Sequence, residues 1–316
     1  MPDRNRRRWL QTTSAMAAAG MPFAWTSAIA ADPSPAPEAR DAVISRPIGS
    51  SGERLPVIGL GTWQTFDISA EPGERQPLRD VLRVFHEWGG RVIDSSPMYG
   101  RSESVAGDLM AEAKLVPQLF VATKVWTSGK DAGQRQMRES MQKLRVRQCD
   151  LMQVHNLLDV DTHLDTLAEW KLTGRIRYTG ITHYTADGAA AVARILERRP
   201  VDFVQINYSV AERDAEQRLL PLCRERGIAV LANRPFAGGE IIRRLSTLPV
   251  PGWAAACDCT SWAQLLLKFV VSHPAITCAI PASRRAAHVR DNMAAGQGVL
   301  PDPRMREKIA AEIGKL

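Results

Sequence analysis

Leu119-Phe120-Val121-Ala122-Thr123-Lys124-Val125 is apolar through its middle and carries one cation near its end. A strand that is hydrophobic at successive positions, not alternate ones, needs cover on both faces, as strands of a parallel sheet have. Ile228-Ala229-Val230-Leu231 reads the same way. Working outward, comparable short runs recur at 57–63, 91–96, 150–155, 178–184, 203–209, 228–235 and 277–283.

Longer amphipathic stretches lie between them. Residues 78–88 place apolar side chains at 78, 81, 82 and 85, one stripe of a helix. Residues 104–114, 135–144, 161–172, 187–198, 215–227 and 262–272 follow the same spacing. Strand–helix alternation sustained eight times predicts an α/β fold of the (β/α)8 TIM-barrel type. The interval from 57 to 300 is close to the ~250 residues such a barrel needs. A doubly wound sheet is the rival, and it wants Gly-x-Gly-x-x-Gly after its first strand. Gly59-Leu60-Gly61-Thr62-Trp63-Gln64 supplies two of the three glycines and opens no helix. Ahead of the barrel, residues 43–55 read as a β-hairpin placed to plug its closed end.

The chain has 316 residues, 45% hydrophobic and 24% charged, which excludes a disordered chain, a collagen-like fibre and a multi-span membrane protein. Net charge is +7. Arg4, Arg6, Arg7 and Arg8 less Asp3 supply +3 within residues 1–30, which leaves +4 for residues 31–316. A mildly basic remainder with no long Lys/Arg run gives no nucleic-acid signal. Arg6-Arg7-Arg8-Trp9-Leu10-Gln11 leads into an interrupted apolar run that ends at Ala28-Ile29-Ala30. Adjacent arginines, an apolar segment and a small-x-small site resemble a bacterial twin-arginine export signal over 1–30. The run is too short and too broken for a stable membrane span. Residues 31–42 then form a Pro-rich linker, and 43–316 the barrel domain. This expectation places the chain in the periplasm by way of the twin-arginine machinery; a cytoplasmic enzyme with a basic tail is the alternative. Cys149, Cys223, Cys257, Cys259 and Cys278 are too scattered for a disulfide framework, and no histidine completes a metal pattern at Cys257-Asp258-Cys259.

Barrel enzymes work at the C-terminal ends of their strands, so polar residues there deserve most weight. Asp94 ends the second run, Lys124 the third and His155 the fourth, and Tyr99 follows Asp94 by five residues. An acid, an amine, an imidazole and a phenol are thereby aimed at one spot. Gly59-Leu60-Gly61-Thr62-Trp63, Val92-Ile93-Asp94-Ser95-Ser96-Pro97-Met98-Tyr99-Gly100, Ala122-Thr123-Lys124-Val125-Trp126 and Asp150-Leu151-Met152-Gln153-Val154-His155 resemble the aldo-keto reductase superfamily. Gly180-Ile181-Thr182-His183-Tyr184, Gln205-Ile206-Asn207-Tyr208-Ser209 and Ile280-Pro281-Ala282-Ser283 extend the resemblance from about residue 45 to 295.

The resemblance implies a TIM barrel, a nicotinamide cofactor held without a Rossmann motif, and carbonyl reduction. It casts Tyr99 as the acid, with Asp94, Lys124 and His155 in support. A free phenol has a pKa of about 10. A neighbouring ammonium lowers it, so Lys124 is expected to acidify Tyr99 while Asp94 keeps the amine charged. His155 is expected to position the carbonyl oxygen.

By resemblance, Thr182, His183 and Gln205 hold the carboxamide end of the nicotinamide, and Gly61, Thr62, Trp63 and Asp94 are further cofactor-binding residues. The family usually has Ser-Asn where Thr182-His183 stands. A stacking tyrosine of the family is replaced by Asn233, which leaves that task to Arg234 or Phe236 of Asn233-Arg234-Pro235-Phe236. The adenosine end falls on Ser283, Arg284, Arg285, His288, Asp291 and Asn292. Arg284 and Arg285 are suited to a 2′-phosphate, which favours NADP(H) over NAD(H) although Ala282 and His288 depart from the NADP pattern. Trp63, Met98, Trp126 and Asn156 line the expected substrate pocket for a small carbonyl compound or alcohol. A second reading within the family is an exported nicotinamide-binding redox sensor or accessory subunit with little turnover. Intact-mass measurement of protein from the periplasm is expected to give a mature chain starting at Ala31; an intact Met1 there opposes the export reading.

Overall fold

The computed structural model describes residues 42–185 and 187–315. The export segment expected at 1–30 and the linker as far as residue 41 lie outside them. Two short strands, β1 (Ser45–Pro47) and β2 (Arg54–Pro56), pair antiparallel as the expected hairpin. Eight parallel strands follow: β3 (Leu60–Gly61), β4 (Val92–Asp94), β5 (Phe120–Val125), β6 (Cys149–His155), β7 (Ile176–Thr182), β8 (Phe203–Asn207), β9 (Ala229–Asn233) and β10 (Cys278–Ala279). Each pairs with the next in sequence. The first and last meet through parallel bridges, Ile58 to Ala279 and Gly61 to Ala282, which closes the sheet into a barrel. Gly61 has to be glycine at this seam. Its N–H donates to Pro281 O at 3.0 Å, and a Cβ there would sit 2.9 Å from Ile280 O.

The helices are α1 (Pro72–Glu87), α2 (Ser102–Glu112), α3 (Lys130–Lys143), α4 (Val160–Leu172), α5 (Gly188–Arg198), α6 (Leu219–Glu225), α7 (Glu240–Leu245), α8 (Trp262–Val271), α9 (Ala286–Ala294) and α10 (Pro303–Gly314). The expected stripe of α1 is buried at Leu78, Val81, Leu82 and Phe85, but the helix begins six residues earlier, on Pro72 at its first position. The stretch expected as one helix over 215–227 is a short turn at Asp214–Glu216 and then α6. Starting α6 at Leu219 puts Pro221 in the first turn, where its missing N–H breaks no helical bond. The charged helix expected at the end of the chain is α10, and two helices were not foreseen: α7, six residues long, and α9, whose sequence carries no clear apolar stripe.

Period-two alternation sorts each barrel strand between two cores. Val121, Met152, Val154, Val204, Ile206 and Val230 pack outward, against the helices. Val92, Phe120, Leu151, Tyr178, Phe203, Ala229 and Cys278 point inward at the strand starts and form one cluster with Ile48 and Leu55 of the hairpin. The rings of Phe120, Tyr178 and Phe203 lie 5.5–5.9 Å apart across this floor. Glu53 pins the hairpin to the barrel. It accepts from the Tyr178 hydroxyl at 2.9 Å and pairs with Arg177, which also reaches Asp150 at 2.6 Å. The plug is therefore a packed apolar layer latched by a polar rim. All five cysteines are buried and unpaired. Leu55 is fully buried in the floor. Leu55→Ala is expected to lower stability by roughly 2–5 kcal/mol in a chemical denaturation curve, because the truncation leaves a cavity in the packed floor.

Candidate active site

Continuing the inward parity of the strands upward gives Asp94 on β4, Lys124 on β5, Gln153 and His155 on β6, Thr182 on β7, Gln205 on β8 and Asn233 on β9. The apolar interior thus ends in a polar layer at the strand C-termini. Lys124 is completely buried, and its Nζ donates to Asp94 Oδ2 and to Ser95 O, both at 2.7 Å. Gln153 Nε2 donates to the other Asp94 oxygen at 3.3 Å. Gly180 makes room for that amide, since a Cβ there would lie 2.9 Å from Gln153 Cγ. A buried ion pair gains only if its other lone pairs are also satisfied, and Ser95 and Gln153 do this.

Tyr99 is brought over the pair by a turn closed by its N–H to Ser96 O at 3.0 Å. The Lys124 ammonium lies 5.1 Å from the Tyr99 ring centre, close enough for electrostatic contact with the phenol. The Tyr99 ring stands edge-on to His155 at 5.9 Å. The four residues are together, but the expected acidification of Tyr99 is corrected. Burial raises its pKa above the ordinary value; Lys124 pulls it down, and Asp94 counters that pull. The phenol is a protonated donor at neutral pH. Burial works against the Lys124 ammonium too, yet Asp94 and Tyr99 outweigh it and hold its pKa above the usual range. His155 goes the other way. Burial, helped by the charge of Lys124, takes its pKa down to about 2, so its imidazole is neutral.

Thr62 ties the first strand to this cluster, its Oγ1 donating to Asp94 O at 3.0 Å. Thr182 Oγ1 donates to Gln205 Oε1 at 3.0 Å, which leaves the buried Gln205 Nε2 without a partner among the described residues. Asn233 Nδ2 donates to His183 O at 3.3 Å, and its buried Oδ1 is likewise unpartnered. An orphaned amide donor and an orphaned acceptor on neighbouring strands match the two halves of a carboxamide. The residues thus fit a nicotinamide group. Pro235 is buried and Phe236 packs against the outer core. Arg234 follows Asn233 in the left-handed region at φ 49°. Trp63, Met98 and Trp126 are among the few large apolar side chains that are exposed, and Asn156, also left-handed, keeps a buried Oδ1 unpartnered.

The adenosine set is more dispersed in its contacts. Ser283 Oγ accepts from the Arg285 N–H at 3.1 Å, and Arg285 and His288 are exposed. Arg284 is committed elsewhere: its guanidinium donates to Thr65 O at 2.9 Å and Gln64 O at 3.1 Å, clasping the loop after β3. Asp291 receives Ser261 Oγ at 2.8 Å and Gln264 Nε2 at 2.7 Å, and Asn292 is buried. Three contributors escaped the sequence reading. Gln153 supports Asp94, Ser96 Oγ lies 3.0 Å from His155 Nδ1, and exposed Tyr184 stacks on His183 at 6.0 Å. Inward parity marks Gln153; nothing in sequence marks Ser96.

The profile of the aldo/keto reductase family matches residues 57–247. The chain belongs to that family. It is 30% identical over 256 residues to an NADH-specific methylglyoxal reductase of Escherichia coli, covering 71% of this chain and 77% of that one. A second relative, methylglyoxal reductase YeaE of the same organism, is 26% identical, covering 76% of this chain and 85% of that one. Among solved structures, an aldo/keto reductase from Klebsiella pneumoniae in complex with NADP and acetate superposes with a TM-score of 0.73 at 26% identity, covering 86% of this chain and 96% of that one.

Two buried histidines contribute to the acid response of this family member. His155 and His273 both have native pKa values below the ordinary ~6.5, at about 2 and about 4, mainly through burial. As pH falls below ~6.5 the unfolded chain takes up these protons and the native one does not, so the stability present above that pH is lost progressively. The His155 ring is expected to show no titration between pH 5 and 8 by NMR; a midpoint inside that window refutes its neutral assignment.

Proposed function

We propose that the chain is an NAD(P)H-dependent oxidoreductase that reduces an aldehyde or ketone, or oxidises the corresponding alcohol, with Tyr99 as general acid and base. The observation that carries this reading is the Lys124–Asp94 pair at 2.7 Å beneath a protonated phenol and a neutral imidazole. The bound nicotinamide, when reduced, supplies hydride to the carbonyl carbon. Thr182, Gln205 and Asn233 would hold its carboxamide end, with Gly61, Thr62, Trp63 and His183 around them. Tyr99 and His155 donate hydrogen bonds to the carbonyl oxygen and so fix which carbon faces the cofactor. Negative charge grows on that oxygen, and Tyr99 releases its proton to it. The phenolate left behind meets the Lys124 ammonium, which needs no reorganisation because Asp94 and Ser95 already hold it. Trp63, Met98, Trp126 and Asn156 form the substrate wall, and its apolar surface suits small uncharged carbonyl compounds.

NADP(H) remains the favoured dinucleotide, on the strength of Arg285 and of the NADP-bound neighbour. The NADH-specific relative and the commitment of Arg284 to the loop after β3 argue for the other. Export through the twin-arginine machinery belongs to the same proposal and rests on residues 1–30. Steady-state oxidation of NADPH and NADH with methylglyoxal and an aromatic aldehyde tests the activity. Tyr99→Phe is expected to lower turnover by about a hundredfold or more while dinucleotide binding is retained. Cofactor binding by the wild-type chain with no turnover across the panel would instead support a sensor or accessory subunit.

A further inference from the structure

Ser96 is fully buried, two residues after Asp94 and three before Tyr99 in the chain. Its Oγ has two polar neighbours. His155 Nδ1 lies at 3.0 Å, and the Met98 N–H points to the same oxygen at 3.4 Å. The amide can only donate, so it occupies a lone pair of the serine oxygen. The serine hydroxyl then needs an acceptor for its own hydrogen. Among the described residues the sole acceptor within reach is His155 Nδ1. Were the ring proton on Nδ1, the serine oxygen would receive two N–H donors and its own hydrogen would be buried without a partner, at a cost of about 1–3 kcal/mol.

The geometry points to Ser96 as a positioning residue that fixes the tautomer of His155: its hydroxyl donates to Nδ1 and leaves the single ring proton on Nε2, the nitrogen free to donate to the substrate oxygen. The inference rests on the carbonyl-reductase reading, and it says which nitrogen does the work and what enforces it. The ring has little freedom to evade this. Tyr99 stands edge-on to it at 5.9 Å and Trp126 is tilted against it at 6.4 Å, and a half-turn of the ring would put Cδ2 against the serine oxygen in place of Nδ1 and lose the contact. The neutrality of the ring fits, because a neutral imidazole has one proton and its location is a real choice. A histidine whose proton sat on Nδ1 would present a lone pair to the carbonyl oxygen and repel it.

The test reads the nitrogens directly on the full chain. In the resting wild-type enzyme labelled with 15N-histidine, the His155 signals, identified by their loss in His155→Gln, are expected to show a protonated Nε2 and a hydrogen-bonded, unprotonated Nδ1. A protonated Nδ1 overturns the proposal without any variant. In Ser96→Ala the Nδ1 signal is expected to move, and kcat for aldehyde reduction to fall roughly ten- to a hundredfold with KM for the dinucleotide unchanged. Ser96→Thr, which keeps the hydroxyl, is expected to restore both. Unmoved His155 nitrogens in Ser96→Ala overturn it. The spectra need no turnover, so they judge the Ser96 assignment even where the carbonyl panel defeats the functional reading.

Discussion

A completely buried lysine is the constraint from which the rest of this molecule follows. An ammonium in the middle of a barrel is tolerable only if its three protons find acceptors, and here Asp94 and Ser95 O each take one at 2.7 Å while Tyr99 is the third contact. Removing a partner from such a pair typically costs about 3–5 kcal/mol, because the other charge stays behind. That requirement reaches outward. Asp94 needs Gln153 for its second oxygen, Gln153 needs the empty space at Gly180, and Thr62 ties the Asp94 backbone to the first strand. The half of the polar layer around Lys124 is therefore one connected set, from Thr62 after β3 through Asp94 and Lys124 to Gln153 on β6.

The same burial sets the direction of the acid chemistry. Lys124 by itself would acidify Tyr99, as free-solution reasoning expects. Enclosure of the phenol and the presence of Asp94 reverse the net sign. The pair therefore does little to ionise tyrosine in the resting protein, and in the proposed reaction it acts when charge develops on the phenol oxygen. A donor that stays protonated until it is needed suits reduction at neutral pH better than one already partly ionised.

Much of this was legible in the chain because period and parity are strong signals. Doubly covered strands such as 119–125 announce a parallel sheet, and inward parity carries from Phe120 through Ala122 to Lys124 without a structure. The meeting of Asp94, Tyr99, Lys124 and His155 followed from strand order alone. What was hidden is what depends on side-chain direction in loops. Arg284, read by resemblance as a phosphate ligand, lays its guanidinium on the carbonyls of Gln64 and Thr65, a contact that sequence alone does not show. Asp291 likewise supports the start of α8 through Ser261 and Gln264. Helices α7 and α9 escaped because one is too short and the other too evenly mixed to show a stripe, and tertiary packing decides such segments.

The hairpin that stoppers the strand starts has a bearing on proton supply. Ile48, Leu55 and three interlocked rings pack an apolar floor between the lysine and the strand starts. In the proposed reaction, a proton that Tyr99 gives away is replaced from the open end, where the reactant sits. Recharging the acid and emptying the chamber are thus obliged to share one doorway, and a tenant that lingers after reaction holds up both.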